Sequence, residues 1–541
     1  MKVRFIINRF CWIVGLLSLL CGLSAASANP GQEDWKTLET PHFLIHFDAE
    51  HKVLAQRLAA IAENVYSLTT SWLQWQPRDK TEVVLDDSLD LSNGSATPLP
   101  FNRSTIYLQA PDSGELISNE PWLEQVFTHE FIHIVHMDQA TRFPGGLRKI
   151  FGRILFSFPQ IFSPKWVVEG LAVYGETDQE KGFGRGQSAF YEAMMRTEVM
   201  SGVRSLTELS YHGYQGTNWP RGQVYLYGYY FFEFIESTYG RDKIIAYINN
   251  WNNNIVPWRM DARAQQVFGV TGKALWSQFS AWLHEKFDPQ IELLAARQQA
   301  TSVITSAPDN VVSNPVWLDN GDFYYYEDDG SSPARIVRLN AEGEQTIDEV
   351  DGFLMFDVNQ SGDILLSRLE ICDEDYLYAD LYLWNQEDKD WDRLTHCGRY
   401  TRAVWSRDGQ QIAVVRKGDG TASLELLDRQ RLVENRSLLG SRFELENPAT
   451  DFELLSNLAI GDTIGQLDWS PDGRFLVATV KRQQSGWNLE RFDLGQRRWQ
   501  TLTQDAQIQR VPHLSRDGRS VYYVADSLLD AETQTHQLAV M

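Results

Sequence analysis

Phe127 to Asp138 reads FTHEFIHIVHMD, and three of these side chains have the type and spacing to hold and use a metal ion. His129 and His133 stand four residues apart. On an α-helix four residues turn through about 400°, so both imidazoles leave one face, one turn apart. So placed, both can reach a single Zn2+ at about 2.0–2.1 Å. Glu130 follows the first histidine and can face the ion's open position. A carboxylate there would take a proton from an activated water as that water attacks a carbonyl. The rest of the segment is strongly apolar, and lone His and Glu side chains are costly to bury in such a helix. A site explains them better than a structural helix does.

A catalytic zinc site needs three protein ligands and one open position. In the metzincin spacing the third ligand is a histidine six residues after the second, where this chain has Gln139. His136 shares the face but lies about 10 Å along the axis from His129, too far for one helix to aim all three at one ion. It reads as a neighbour of the site or a structural residue. The remaining source is a glutamate on a following helix. The stretch SPKWVVEGLAVYGE supplies Glu169, with Glu176 as the alternative.

These residues need elements to position them. Apolar spacings of three and four predict helices over LAQRLAAIAENVYSLTTSWLQW, the histidine segment, KWVVEGLAVYGE, GQVYLYGYYFFEFIESTYG and GKALWSQFSAWLHEKF. Short strands, HFLIHFD, KTEVVLDD and STIYLQAP, precede most of them. Strands first and helices after predict an α+β domain over 29–300.

Near residue 300 the pattern changes to short alternating strands joined by turn residues. Five turns align on Gly321, Gly362, Gly409, Gly473 and Gly518, at gaps of 41, 47, 64 and 45 residues. A period in the forties, with about four strands per unit, predicts an all-β propeller over 301–541. Four blades and part of a fifth are countable, which leaves the ring truncated, completed by a partner, or closed in a way the repeats do not show. Asp-Gly pairs are expected to supply the positive-φ positions of these hairpins.

The chain has 541 residues, enough for about two to four domains. Its net charge of -23 and lack of a basic patch argue against a nucleic-acid partner. Residues 1–28 read as a signal peptide: Lys2, Arg4 and Arg9, then CWIVGLLSLLCGL, then the small-residue site Ala26-Ser27-Ala28. Leu20 before Cys21 disfavours lipidation. No later run is long and apolar enough to span a bilayer. The mature chain is therefore expected outside the cytoplasm, most simply in a bacterial periplasm, secreted or associated with the envelope. Its remaining cysteines, Cys372 and Cys397, are expected to pair in that oxidising setting.

Two resemblances sharpen this reading. The WSRDG and WSPDG repeats resemble the TolB-like propeller family, over roughly 305–541. WVVEGLAVY after HEFIH resembles the gluzincin clan of zinc peptidases, over about 36–290. The second likeness implies His129, His133 and Glu169 as ligands of one catalytic zinc and Glu130 as general base. It also implies a tyrosine three residues before a glycine as oxyanion donor. Tyr225 with Gly228 fits that spacing, ahead of Tyr227 and Tyr174. The clan's edge strand pairs with substrate backbone, a part STIYLQAP could play. Two departures matter. Val173 stands where thermolysin-like members carry an aspartate behind a ligand histidine, and no G-x-M-E-N segment precedes His129, which argues against an aminopeptidase.

The combined expectation is an exported zinc metallopeptidase, an endopeptidase or processing protease. Peptide or protein would be its substrate, and the propeller would bind a substrate or an envelope partner. A non-catalytic envelope scaffold with a structural or vestigial zinc site is the alternative. A zinc hydrolase acting on another bond is a third reading. The EDDG turn at 327–330 lacks EF-hand spacing and reads as a solvated hairpin.

Overall fold

A computed structural model describes residues 34–541, apart from 179–181, 212–221, 254–258, 298–303, 305–310, 432–451, 505–506 and 529–533. The leader reading of 1–28 lies outside these residues. The chain forms a mixed sheet with helices, followed by five small antiparallel sheets.

The first sheet comprises β1 (Trp35–Glu39), β2 (Phe43–Asp48), β3 (Thr81–Asp86), β4 (Gly94–Thr97) and β5 (Arg103–Tyr107). Its order is β1-β2-β3-β5-β4. β2, β3 and β5 run parallel, and β1 and β4 are antiparallel margins. Strict alternation in β2 and β3 turns Phe43, Ile45, Phe47, Val83 and Leu85 to one face. That face packs on α1 (Lys52–Leu73) and α2 (Trp122–Met137). The STIY strand is not an edge: it pairs on both sides, with β3 and β4. The edge is the four-residue GSAT strand, too short and too poor in β-formers to be read as a strand from sequence.

The helical part continues with α3 (Arg142–Phe151), α4 (Lys165–Glu176), α5 (Ala189–Ser201) and α6 (Leu206–Tyr211). It ends with α7 (Gln223–Tyr239), α8 (Arg241–Trp251), α9 (Met260–Phe268) and α10 (Gly272–Arg297). No helix among the described residues is long and apolar enough to cross a membrane. α4 and α7 cross at two glycines. A Cβ on Gly170 would lie 2.2 Å from the Gly228 Cα, and one on Gly228 would lie 2.1 Å from the Trp166 carbonyl oxygen. Only hydrogen fits at this crossing.

The second half is a five-bladed propeller. Blade one is β6 (Val311–Trp317), β7 (Phe323–Asp328), β8 (Arg335–Asn340) and β9 (Gly343–Glu349). Blade two is β10 (Phe353–Val358), β11 (Ile364–Cys372), β12 (Tyr376–Asn385) and β13 (Asp390–Arg393). Blade three is β14 (Tyr400–Trp405), β15 (Gln411–Gly418), β16 (Thr421–Asp428) and β17 (Glu453–Asn457). Blade four is β18 (Thr463–Trp469), β19 (Phe475–Arg482), β20 (Gly486–Asp493) and β21 (Arg498–Thr501). Blade five shows three strands among the described residues, β22 (Gln509–Leu514), β23 (Val521–Leu528) and β24 (Gln534–Val540), and α5 packs against the last.

Each repeat glycine sits in the turn between a blade's first two strands with φ between 66° and 92°. The aspartates before them do not take positive φ. Asp408, Asp472 and Asp517 instead accept hydrogen bonds from the backbone two residues on. The EDDG turn closes the same way, Asp328 accepting from the Gly330 amide. Carboxylates also staple neighbouring blades. Asp357 accepts from the Trp405 amide, and Asp468 from the Leu514 amide, each at 2.7 Å. Arg516 in the last turn reaches Asp319 in the first at 2.9 Å, so blades five and one meet at their turn ends. Cys372 and Cys397 form a disulfide within blade two and the turn that follows it. Closing a loop of 25 residues stabilises by about 3 kcal/mol.

The two halves dock through buried ion pairs. Arg399 holds Asp87 and Asp90. Asp112 sits between Arg402 and Lys417 at 2.7 and 2.5 Å. Burial opposes ionisation of Asp112, but the two cations hold its carboxyl far below the usual range. Such a group stabilises above the unfolded carboxylate range and loses that contribution only as pH falls toward its depressed folded value. Asp112→Ala would leave two buried cations unpaired, at a cost of about 3–5 kcal/mol. Urea unfolding of both proteins should show that gap at neutral pH and a shrinking gap below about pH 4. A gap independent of pH to the acid limit would refute the assignment.

Candidate metal centre

α2 carries His129 and His133 on the face toward α4, and α4 brings Glu169 to meet them. His129 Nε2 and His133 Nε2 lie 3.0 Å apart. Glu169 Oε2 lies 3.1 Å from His133 Nε2 and 3.5 Å from His129 Nε2. Bond lengths of about 2.0–2.1 Å in a tetrahedron require donor atoms about 3.3 Å apart. The three donors therefore fit one ion of that size, and two imidazoles with one carboxylate suit zinc or a similar divalent metal. The three face a cavity of about 420 Å³ that Glu130, Glu176, Arg185 and Tyr225 also line.

Glu176 is not placed as a ligand. Its Oε2 lies 2.7 Å from His129 Nδ1, the nitrogen facing away from the other donors, and its Oε1 accepts from Arg185 Nε at 2.7 Å. Arg185 Nη2 lies 2.7 Å from the same nitrogen and 3.1 Å from Glu176 Oε2, so with Nε2 on a metal Nδ1 would donate its proton to Glu176 and Arg185 would hold to Glu176 alone, which would fix the ring as a ligand. Glu176 thus supplies the support that Val173 cannot, from one α-helical turn further on. Arg185, in a short turn after α4, was not anticipated. Its isolated position in GFGRGQ offers no periodic signal.

The electrostatics follow from this packing. Burial raises the Glu130 carboxyl above its ordinary value, against the pull of His133 and His129. Burial opposes ionisation of Glu169, yet His133 and His129 hold it well below the usual range. Glu176, also opposed by burial, is held at about 2 by Arg185 and His129. Burial and Arg185 push His129 down, but Glu176 and Glu169 prevail and raise it to about 9. An ion must therefore displace a proton from His129 at neutral pH, so metal affinity should rise with pH up to about 9. Titrations at pH 6 and pH 8, and flat affinity as the contrary result, test this.

The other expected residues are placed as follows. Tyr225 lines the cavity, its ring 6.3 Å from the His129 ring and 5.0 Å from the Arg185 guanidinium. Tyr227 is buried and donates to Glu198 at 2.7 Å, and Tyr174 donates to Glu236 at 2.5 Å. Neither lines the cavity. His136 is fully buried, and burial first, then the His133 charge, pushes it down to about 3. It is a neutral structural histidine. Gly94 in β4 passes so close to Glu130 that a Cβ would lie 2.7 Å from Oε1. The edge strand therefore forms one wall of the cleft.

Two other groupings of metal-type side chains occur among the described residues. Cys372, His396 and Cys397 include the disulfide. His51, Asp87 and Asp419 lie at the domain junction, where Asp87 is engaged by Arg399.

No family model matches the sequence, and no curated protein matches it. Among solved structures the chain is similar to TolB from Acinetobacter baumannii, with 12% identity and a TM-score of 0.34, covering 44% of this chain and 53% of that one. It is also similar to a putative TolB from Agrobacterium tumefaciens, with 16% identity and a TM-score of 0.32, covering 44% of this chain and 83% of that one. A prolyl endopeptidase structure matches at 15% identity and a TM-score of 0.28, over 42% of this chain and 36% of that one. The chain spans about half the length of the first of these. The five sheets define the propeller without them.

Proposed function

We propose that this chain is an exported zinc-dependent peptidase of gluzincin type, acting within peptide chains, with a TolB-like propeller that binds substrate or an envelope partner. The observation that carries the reading is the triangle of donor atoms at 3.0, 3.1 and 3.5 Å beside a buried, non-ligating glutamate. Zinc bound there would supply Lewis acidity and an activated water. His129, His133 and Glu169 would hold it, with Glu176 and Arg185 against the His129 ring. Glu130 takes a proton at its carboxylate and passes it to the leaving amine. Its raised affinity for protons suits both halves of that transfer. Tyr225, which lines the same cavity, would donate its hydroxyl to charge developing on the scissile carbonyl oxygen. β4 offers an unpaired edge to extended substrate, which accounts for a strand of small residues beside Glu130. The leader pattern and the disulfide support a place outside the cytoplasm.

Purified chain incubated with a mixture of internally quenched peptides should cleave them. A chelator should stop cleavage and added zinc should restore it. Cleavage indifferent to chelation, or none by zinc-loaded chain across a broad mixture, would refute the reading.

A further inference from the structure

The segment joining α2 to α4 is built the wrong way round for a soluble surface. A surface helix ordinarily turns its apolar stripe inward and its charges outward. Here the charges turn in. Arg148 donates to the Asp138 carbonyl and carboxylate at 2.7 and 3.1 Å and to the Ser157 carbonyl at 2.8 Å. Arg153 donates to the Pro98 carbonyl and the Asn102 side chain. Both guanidinium groups lie over the buried Phe158 ring. Held by these anchors, Phe143, Ile150, Phe151, Ile154, Leu155 and Phe156 point to solvent, between 38% and 75% exposed. Phe101, in the β4–β5 loop that Arg153 grips, is exposed as well. Seven large apolar side chains exposed on this segment and the loop it grips mark an interaction surface.

The charge pattern selects the partner. Of the five Lys or Arg in residues 139–165, which hold no Asp or Glu, Arg148 and Arg153 turn inward and Arg142, Lys149 and Lys165 are exposed, in a chain of net charge -23. Arg142 and Lys149 are exposed beside the apolar side chains. The apolar groups come from a helix, the turn after it and a separate loop, not from one stripe that would fill a protein groove. A bilayer interface accepts such an irregular spread, with cations at headgroup level. We propose that Arg142–Phe156, with Phe101, docks this protein onto an anionic phospholipid surface as an interfacial anchor. Met137, the last residue of α2, lines the cleft, so docking would hold one end of the cleft near the bilayer. The inference stands independently of any hydrolytic activity.

The test is co-sedimentation of the full chain with vesicles of phosphatidylcholine, with or without phosphatidylglycerol. The chain should bind the anionic vesicles, and less so without phosphatidylglycerol or at high salt. Ile150→Ser combined with Phe151→Ser and Phe156→Ser should lower binding at least about tenfold. Its thermal unfolding should change little, because the three side chains are more than half exposed. Leu68→Ser, at an equally exposed apolar position on α1, should bind as the unaltered chain does. Arg142→Gln with Lys149→Gln should reduce the dependence on anionic lipid. Failure to bind anionic vesicles, or equal binding by the triple variant, would overturn the proposal. So would a chain that is dimeric through this face and indifferent to vesicles.

Discussion

Glu130→Gln is expected to keep the metal and to lose hydrolysis by about 10³-fold. The two effects separate because of where the side chain lies. Glu130 lines the cleft but is outside the triangle of donor atoms formed by His129, His133 and Glu169. Glutamine has the same shape, and the walls are close, with Gly94 packed against the carboxylate. The amide therefore fits, and metal binding persists. It cannot accept and return a proton, so only the transfer is lost. Metal content and peptide cleavage measured on the same preparation check this. A variant cleaving at the unaltered rate would remove Glu130 from the mechanism.

Gly170→Ala should be as damaging through packing alone. The added methyl would lie 2.2 Å from the Gly228 Cα and 2.7 Å from its carbonyl oxygen. These are backbone atoms, so no side chain can swing away and the two helices must separate. Overpacking of this kind costs about 3 kcal/mol. Glu169 precedes Gly170, and Tyr225 lies one turn before Gly228, so separation also shifts the Glu169 carboxylate relative to the histidines. Urea unfolding and metal affinity should both fall. Gly146→Ala is the contrast: nothing lies within 4 Å of its Cβ position. That change should stabilise by about 0.5–1 kcal/mol, the helix preference of alanine over glycine. Equal effects at the two sites would contradict the close-crossing account.

What was legible in the sequence follows from the range of the physics involved. His129 and His133 could be read as a pair because helical periodicity is local. The blades could be counted because each turn needs a glycine at positive φ, and that requirement recurs in phase. The Glu169 helix was visible from its apolar spacing. Its approach to α2 was not, since the packing between them, such as Gly175 of α4 against Ile132 of α2, joins residues 43 positions apart. Glu176 read as a spare ligand because sequence does not say which nitrogen of His129 it will face. β4 was missed because four small residues carry no strand signal, and their pairing with β5 defines them. Nothing in the sequence singles out Asp87, Asp90 or Asp112. Only the docked propeller, with Arg399, Arg402 and Lys417, makes them buried partners. In RFPGGLRKIF the alternation of charge and apolarity was present, but not its direction. Asp138 and the Pro98 carbonyl, from other elements, draw the arginines inward.

The most direct test of the central claim is zinc content per chain, in the native protein and in Glu169→Ala. The account predicts about one zinc in the native chain and far less in the variant, because the third donor is gone. A folded native chain that takes up no zinc, or a variant that holds as much as the native protein, would contradict it.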